Sequence, residues 1–552
     1  MSARRVYGID LGTTYSCIAH VDEHGKPVVL ANTEGELTTP SVVFFESADN
    51  IVVGQAAKDV ASVYPDRCVS TVKRAMGDPH FERACFGQTY KAQDVSSFIL
   101  RKVVGDAERI TGEKIEDVVI TCPAYFGINE KEATRQAGIL AGLNVLYVIP
   151  EPTAAALAYG IEQHQDQVIL VYDLGGGTFD ITLIEIKAGD ITVICTGGDH
   201  QLGGKNWDDA IVAYFAQRFA QEAGTSADAL LDDQETYQEL LNAAERCKKS
   251  LTTRQSVTEP VRFAGERVKV ELTRETFDQI TAQYLERTLV LTAEEIEKAK
   301  QKGAARIDKL LLVGGSTYMP QVIAAVKGKF PFEVRQFDPN QAVAKGAALF
   351  GYKCYLDEQI KIRIAEQTGQ AKEEIDVAKV DPPVVQRAQS EVARDHGMSL
   401  PGLQDIVKPK ISNVTSKSFG MVAFNRDDRE VVFNLILVDD RVPATVTEHF
   451  VTREEAQIRI DMRCMESQLN EKQAEVARCR EIGLTMLEFG RALPKGSPVE
   501  VTFGLGPDGL LSVRGKESGT GREISATFKT ESIMTREEVE AAKSRNLSLQ
   551  VA

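Results

Sequence analysis

The chain has 552 residues, too many for one hydrophobic core, so several domains are expected; its 43% hydrophobic and 26% charged residues are those of a globular protein. No apolar stretch approaches the roughly 18–20 residues that a membrane span needs, so no membrane partner is expected. A formal net charge of −16 argues against nucleic acid as the main partner, because a phosphate backbone calls for a basic surface, yet it leaves room for a local cationic phosphate pocket.

The opening MSARRVYGID enters a strand at once and lacks an apolar signal-peptide core, which points to a cytoplasmic chain. Strand candidates then alternate with helix candidates up to about residue 356. The strands are VYGID, SCIAHVD, PVVLAN, SVVFFE, DVVITC, VLYVI, VILVYDL, ITLIEI and KLLLVGG. Several are near-continuous apolar runs, the mark of strands buried on both faces of an α/β protein. Helices are predicted at 94–111, 129–141, 152–163, 207–223, 234–252, 274–299 and 340–356. Asp-Leu-Gly followed by a strand occurs at 10–20 and again at 173–186, and each copy is followed much later by a strand and tight turn, VVITCPAYF and LLLVGGSTYMP. Two similar halves facing one another would enclose a cleft.

Residues 357–410 are polar, with breaks at DPP and SLPG, and read as a partly helical linker or insert. From 411 to 534 short β-like runs such as SFGMVAF, VVFNLILVD, QIRIDMRC and PVEVTFGL are separated by turns, with hairpins expected at 506–509 and 518–521. This spacing predicts an all-β sandwich. A short helix, TREEVEAAKSR, and a tail at 535–552 follow.

The chemistry-bearing stretches are DLGTTYSC (10–17) and DLGGGTFD (173–180). In each, a strand delivers a carboxylate and the chain then turns on glycine and hydroxyl residues. Such a turn aims successive backbone N–H groups at one point and leaves space for phosphate oxygens. Gly12, Thr13 and Thr14, with Gly175, Gly176, Gly177 and Thr178, supply those donors. Asp10 and Asp173 are placed to hold Mg²⁺ through its waters. Two copies plus GGST at 314–317 displace the reading of plain glycine hairpins. GLGPDG (504–509) is a hairpin turn, since a strand rather than a helix follows it, and DHQLGGKN (199–206) fails the Walker A spacing. The nine cysteines lie singly, as isolated reduced thiols.

DLGTTYSC, PEPTAAALAYG (150–160), DLGGGTFDITL and VGGSTYMP resemble the nucleotide-binding domain of the heat shock protein 70 (DnaK) chaperones. The resemblance is dense over 1–356 and continues loosely over 410–541, in FGMVAF, HFVTREEAQIRI and PVEVTFGLGPDGLLSV. It implies an actin-like ATPase of two duplicated lobes around a nucleotide cleft, followed by a β-sandwich peptide-binding domain. It also implies ATP or ADP with Mg²⁺, K⁺ as a further candidate ion, and unfolded or extended hydrophobic polypeptides as partners.

On this resemblance Lys73, in VSTVKRAMG, touches the γ-phosphate and the attacking water. Glu151, Asp180 and Asp10 are candidates for orienting or deprotonating that water, and which of them is the base stays open. Tyr15 and Thr178 join the phosphate loops. Glu245 and Lys248, in ERCKKSLT, meet the ribose with Thr252 nearby, while Lys249 and Tyr318 stand where two arginines usually sandwich the adenine. Gly203 and Gly204 form a close-approach turn near the sugar; Gly314, Gly315, Ser316 and Asn340 line the far wall. Met421, Phe424, Phe450 and Ile458 fall where the family lines an apolar peptide groove, and Arg453 sits near its arch. Alternating apolar residues of a sandwich core would look the same.

Three departures from the family pattern bear on mechanism. IVKPKISNV replaces the acidic, leucine-rich interdomain linker, so docking of the linker on the ATPase domain is not expected. Tyr147 and Pro150 replace an arginine and an asparagine, and that arginine belongs to the surface used by J-domain co-chaperones, so weak or absent J-domain stimulation is expected. Only TREEVEAAKSR and a tail remain where a helical lid would stand. The leading reading is an ATP-driven chaperone of extended hydrophobic segments. The alternatives are a co-chaperone or exchange-factor-like partner and an actin-like ATPase or sugar-kinase relative. Lys73, Asp10, Glu151 and Asp173, all present, disfavour a non-hydrolysing partner, and a kinase would leave a β-sandwich idle.

Overall fold

The computed structural model describes residues 5–163, 165–304, 306–506, 511–517, 519, 521, 523–527 and 534–552. Two sheets of the same strand order are built up to Gln336. In the first, Val6–Asp10 runs parallel to Asp117–Cys122, itself parallel to Asn144–Pro150, and pairs on its other side with antiparallel Tyr15–Val21 and then Pro27–Leu30. In the second, Gln167–Leu174 takes the central place, with Lys309–Val313 and Glu333–Gln336 parallel on one side and Phe179–Lys187 and Asp190–Asp199 antiparallel on the other. The duplication read in the sequence is thus a duplication of sheet topology, and the two units are here lobes I and II.

Helices Ala92–Thr111 and Ile128–Leu140 cover lobe I; Gly204–Ala223, Gln234–Leu251 and Arg274–Gln301 cover lobe II. Their starts follow capping chemistry: the Thr273 hydroxyl accepts the Thr276 amide at 3.1 Å and Asp233 accepts that of Thr236 at 2.8 Å. Between the lobes, helix Glu151–Gln163 packs on helix Ala342–Thr368 with Gly346 against the Ala154 backbone, while Ala344, Ala347 and Ala348 lie against Gly8 of the central lobe I strand. Small side chains let the two helices approach closely and join the lobes at their base.

The helix expected to end at 356 continues to Thr368, because Leu356, Ile360 and Ile364 keep one apolar face and the first stop signal is Gly369 at φ 71°. Helices Pro382–Asp395 and Leu400–Val407 pack on that face through Ala388, Val392 and Leu403. Residues 357–410, expected as a polar, partly helical linker or insert, form a small helical unit with its own core.

The linker expectation is also overturned. Strand Ile411–Val414 docks in parallel on the edge of lobe II, with Ile191 opposite Ile411 and Thr192 opposite Ser412. The Ile191 amide donates to the Lys410 carbonyl at 2.8 Å, the Lys410 amide to Asp190 at 2.9 Å, and the Thr153 hydroxyl to Asn413 at 2.9 Å. Pairing through the backbone does not need the family's acidic and leucine side chains.

Beyond the linker, Gln473–Ala474, Glu430–Ile436, Ser418–Phe424, Gln457–Ser467 and Arg480–Leu493 form one sheet and Ala444–Val451, Pro498–Leu505, Leu511–Glu517 and Glu523–Thr527 another. Their inner faces meet at Met462, Leu487, Phe489, Val501, Phe503 and Val513. The turns expected at 506–509 and 518–521 fall largely outside the described residues. Helix Arg536–Ser548, within the short helix and tail expected at 535–552, packs on lobe I, where Gln550–Val551 adds a strand alongside Asn50–Val53.

The sandwich rests on lobe I. Ile128 enters its core, and Arg480 donates to the Gly77 carbonyl at 2.9 Å and pairs with Glu130 at 3.1 Å and Glu466 at 3.9 Å. Burial, and after it the Glu130 carboxylate, pushes Glu466 up to about 7 against the pull of Lys417 and Arg480. The folded protein thus holds a proton there that the unfolded chain releases at a lower pH, so this stabilisation is complete at acid pH and is lost as pH rises through about 7. Over that window the unfolding free energy falls by up to about 1.4 kcal/mol per pH unit, and Glu466→Gln is expected to flatten the slope. Urea unfolding of both proteins across the window checks it.

Candidate functional site

Each lobe's central strand carries an aspartate at its C-terminal end, Asp10 as the last residue in lobe I and Asp173 as the last but one in lobe II, and the chain then turns and comes back antiparallel. Register places Asp10 opposite Cys17 and Asp173 opposite Asp180, so Cys17 and Asp180 are equivalent positions of the duplicated motif. The turns are held by local bonds: the Gly12 amide donates to the Ser16 hydroxyl at 3.2 Å, the Ser41 hydroxyl to the Gly12 carbonyl at 2.9 Å, and the Gly175 amide to the Thr178 carbonyl at 3.0 Å.

The two turns face one another closely. A Cβ on Gly176 would strike Thr14, and one on Gly177 would strike Thr13. The glycines of the second turn thus admit the threonines of the first as well as any ligand. Behind the second turn, the Gly204 amide donates to the Gly175 carbonyl at 3.0 Å and the Lys205 amide to the Gly176 carbonyl at 2.8 Å. Gly203 lies so close that a Cβ would sit 2.6 Å from the Gly177 carbonyl carbon. The Ser316 hydroxyl donates to the Gly175 carbonyl at 2.8 Å, tying the GGST turn to the same loop.

A cavity of about 400 Å³ lies between the lobes. Its walls include Asp10, Gly12, Thr13, Thr14, Tyr15, Lys73, Glu151, Asp173, Gly175, Gly176 and Thr178 at one end. Glu245, Lys248, Lys249, Thr252, Tyr318 and Asn340 lie toward the other, and Gly314, Gly315 and Ser316 stand between the two ends, Gly314 close to Asp173 and the Ser316 hydroxyl on the Gly175 carbonyl. Residues as far apart in sequence as Asp10 and Asn340, 330 positions, so converge on one space. Asp180, Gly177, Gly203 and Gly204 stand just behind this wall.

Charge is concentrated at the loop end. Lys73 is buried and paired with Glu151; burial works against its charge, but Glu151 and Asp10 more than offset this and hold its pKa above the ordinary lysine value. Burial and then Glu151 push Asp10 up to about 7, although the Thr121 hydroxyl donates to it at 3.3 Å. The same two causes hold Asp173 and Asp180 well above the carboxylate range. One Asp180 oxygen accepts the Ala124 amide at 3.1 Å, and the other is buried without a hydrogen-bond partner. Four carboxylates around one ammonium form a set that a divalent cation would relieve. Among the described residues no three carboxylate, imidazole or thiol groups converge to ligate a metal directly, so these residues fit an ion held through its waters.

At the other end, burial opposes ionisation of Glu245, but Lys58 and Lys249 hold its carboxyl well below the usual range. Lys58 pairs with it across the lobes, and Tyr15 donates its hydroxyl to it at 2.7 Å. Lys249 reaches the Tyr15 hydroxyl at 2.6 Å and Glu245 at 2.8 Å, and Lys248 pairs with Asp208 at 2.7 Å. Lys249 is thus engaged within its own wall, and the lysine half of the expected adenine sandwich requires it to turn; Tyr318 is exposed.

Several contributors had no signal in the motifs. Arg74 donates twice to the Gly177 carbonyl, at 2.9 and 2.6 Å, and so pins the lobe II loop from lobe I. Lys58, Lys205, Asp208 and Cys17 also border the site. Only the Lys-Arg doublet at 73–74 hinted at Arg74.

The four groove residues separate. Met421 is only 4% exposed and belongs to the sandwich core, because its place in Ser418–Phe424 turns it inward; this corrects its assignment to the groove. Phe450 is half-buried, edge-on to Phe433 at 5.6 Å. Phe424 and Ile458 are exposed, and the Arg453 guanidinium covers the Phe424 ring at 3.6 Å while pairing with Asp428 at 3.1 Å. Tyr147 packs edge-on against Phe350 at 5.2 Å.

The family model described as Hsp70 protein matches residues 6–354, which take in both lobes and every wall of the cavity. The chain belongs to the Hsp70 family.

Proposed function

We propose that this chain is an ATP-dependent chaperone of the DnaK type, an actin-like ATPase (1–356) joined through 357–410 to a peptide-binding β-sandwich (411–534), with 535–552 as a C-terminal segment. The observation that carries the reading is the inter-lobe cavity, where two phosphate-loop turns meet a buried lysine and four carboxylates. Family membership supports ATP binding, ATPase activity and chaperone action at the level of the family.

In this mechanism the loops of 12–14 and 175–178 hold the phosphates through backbone amides and threonine hydroxyls. Asp10 and Asp173 would hold Mg²⁺, which would supply charge neutralisation on the phosphates, with K⁺ a further candidate. Lys73 stabilises charge on the transferred phosphoryl group, so transfer goes to water without a covalent enzyme intermediate. Of the three candidate bases, Glu151 is engaged by Lys73, whereas Asp180 keeps one free oxygen. Asp10, Glu151 and Asp180 are the candidates for ordering the attacking water and taking its proton. Glu245, Lys248, Lys249, Thr252, Tyr318 and Asn340 receive the nucleoside.

The polypeptide partner is an extended hydrophobic segment that contacts Phe424 and Ile458, and the compartment is the cytoplasm. Tyr147, tied to Phe350, leaves J-domain stimulation weak. A fluorescent hydrophobic peptide is expected to bind at roughly micromolar affinity and to dissociate at different rates from the ATP and ADP forms. Ile458→Asp is expected to weaken binding at least tenfold (about 1.4 kcal/mol) with an unchanged circular dichroism spectrum. Equal dissociation rates in both nucleotide states would remove the coupling from the proposal.

A further inference from the structure

Residues 534–552 do not lie free: they fill a groove on lobe I between helices Ala92–Thr111 and Ile128–Leu140 and the strand Asn50–Val53. Three kinds of contact define it. As a strand, Gln550 donates its amide to the Asp49 carbonyl and Ala552 to that of Ile51, while Val53 donates back to Ala552, each at 2.9 Å. Through side chains, Asn546, wholly buried, donates to Asp94 at 2.9 Å and to Ser97 at 3.1 Å, and Arg545 reaches the same Asp94 oxygen at 2.6 Å. From the groove, Arg101 donates to the Asn546 and Leu549 carbonyls, and the Gln136 amide both donates to and accepts from the Met534 backbone, at 3.0 and 3.2 Å. Apolar contact is supplied by Met534, Val539 and Ala542 on Leu140.

With the segment in place Asp94, Ser97 and Gln136 are each at most 3% exposed, and beyond their partners within lobe I (the Lys91 amide, the Asp94 carbonyl and Gln93) each spends a further hydrogen bond on this segment. Leaving such groups unmatched is costly, which marks the groove as built for a polypeptide. It is also linked to the turn that carries Lys73 through the sheet and through one groove helix. Strand Asn50–Val53 pairs with Val42–Phe45, which pairs with Cys68–Ser70, and that strand runs directly into Thr71, in the left-handed region at φ 56°, and the turn that carries Lys73. On the other side, Ser96 of the groove helix donates to the Met76 sulfur at 3.4 Å, just after that turn.

We propose that lobe I carries a polypeptide-docking groove, separate from the nucleotide cavity and from the sandwich, that takes the helix-then-strand segment 534–552, and that its occupancy holds Lys73 in place for hydrolysis. The second half rests on the ATPase reading; the first does not. The test uses the full chain with Asn546→Asp, which sets a carboxylate against Asp94 and expels the segment, and a labelled synthetic peptide of residues 534–552. The peptide is expected to bind the variant and not the wild type, whose groove is filled, and to restore the slow amide exchange lost at 50–53 in the variant. ATP turnover in the variant is expected to fall roughly tenfold to a hundredfold with ADP affinity unchanged, and to recover on saturation with peptide. If Asn546→Asp does not fold, Arg545→Ala gives the same readouts in milder form. No peptide binding, with exchange at 50–53 as in the wild type, would overturn the groove. Peptide binding without change in turnover would overturn its link to Lys73. If even the wild type hydrolyses no ATP, the ATPase reading and that link fall together, and peptide binding still decides the groove.

Discussion

Lys73→Ala is expected to retain Mg·ATP while hydrolysing it on the order of a hundredfold to a thousandfold more slowly. In the proposed mechanism the loop amides, the threonines and the nucleoside wall hold most of the nucleotide, and the substitution removes only the Lys73 contact at the γ-phosphate. What it removes is the one ammonium among Asp10, Glu151, Asp173 and Asp180, held charged by Glu151 and Asp10. A group that acts on charge developing in the transition state lowers kcat when lost and leaves ground-state binding in place. Removing it also strands Glu151 in a buried site, so without nucleotide the variant is expected to lose about 3 kcal/mol or more of stability. Single-turnover kinetics, ADP titration and thermal melts separate the three effects. Turnover at the wild-type rate would remove Lys73 from the chemistry.

Gly314→Val is expected to abolish nucleotide binding and cost on the order of 3 kcal/mol or more in stability. Gly314 stands at φ 83°, and a Cβ there would strike the Asp173 carboxylate and the Leu174 carbonyl. Its amide donates to the Pro339 carbonyl at 2.9 Å and its carbonyl accepts the Thr317 hydroxyl at 2.7 Å, so the turn cannot swing aside without releasing both. The strain meets Asp173 itself, one of the two carboxylates assigned to the metal. Gly303 serves as control, since it has φ 93° and nothing within 4 Å of its would-be Cβ. Gly303→Ala is expected to cost only about 1 kcal/mol and leave ADP affinity unchanged. Comparable losses in both variants, by ADP calorimetry and urea unfolding, would mean that backbone strain rather than closeness to Asp173 is responsible.

What was legible in the sequence is what is local. The two Asp-Leu-Gly turns need strand, carboxylate and glycine in direct succession, and their repetition gave the duplicated sheets. Lys58 and Glu245, 187 positions apart, meet only because the lobes close, and no pattern around either residue records it. Arg74 acts through a backbone carbonyl of the other lobe, which leaves no trace at Gly177 beyond the glycine itself. The unit at 357–410 was hidden by its polar surface, although Leu356, Ile360 and Ile364 recur at helical spacing. Linker docking was misjudged because it rests on backbone pairing, to which composition is a poor guide. Met421 illustrates a deeper ambiguity: an alternating strand has an inner and an outer face, and the apolar residues of core and groove differ only in which one they occupy. Nothing in TREEVEAAKSR or the tail after it marks Arg545 and Asn546 as contacts, yet Asn546 is wholly buried against Asp94.

Single-turnover hydrolysis of Mg·ATP by the full chain, with and without a short hydrophobic peptide, tests the proposed function most directly. Slow conversion of bound ATP to ADP and phosphate, abolished by chelating the metal and changed in rate by the peptide, is the predicted result. ATP that stays bound and intact through many hours with metal and peptide present would contradict it.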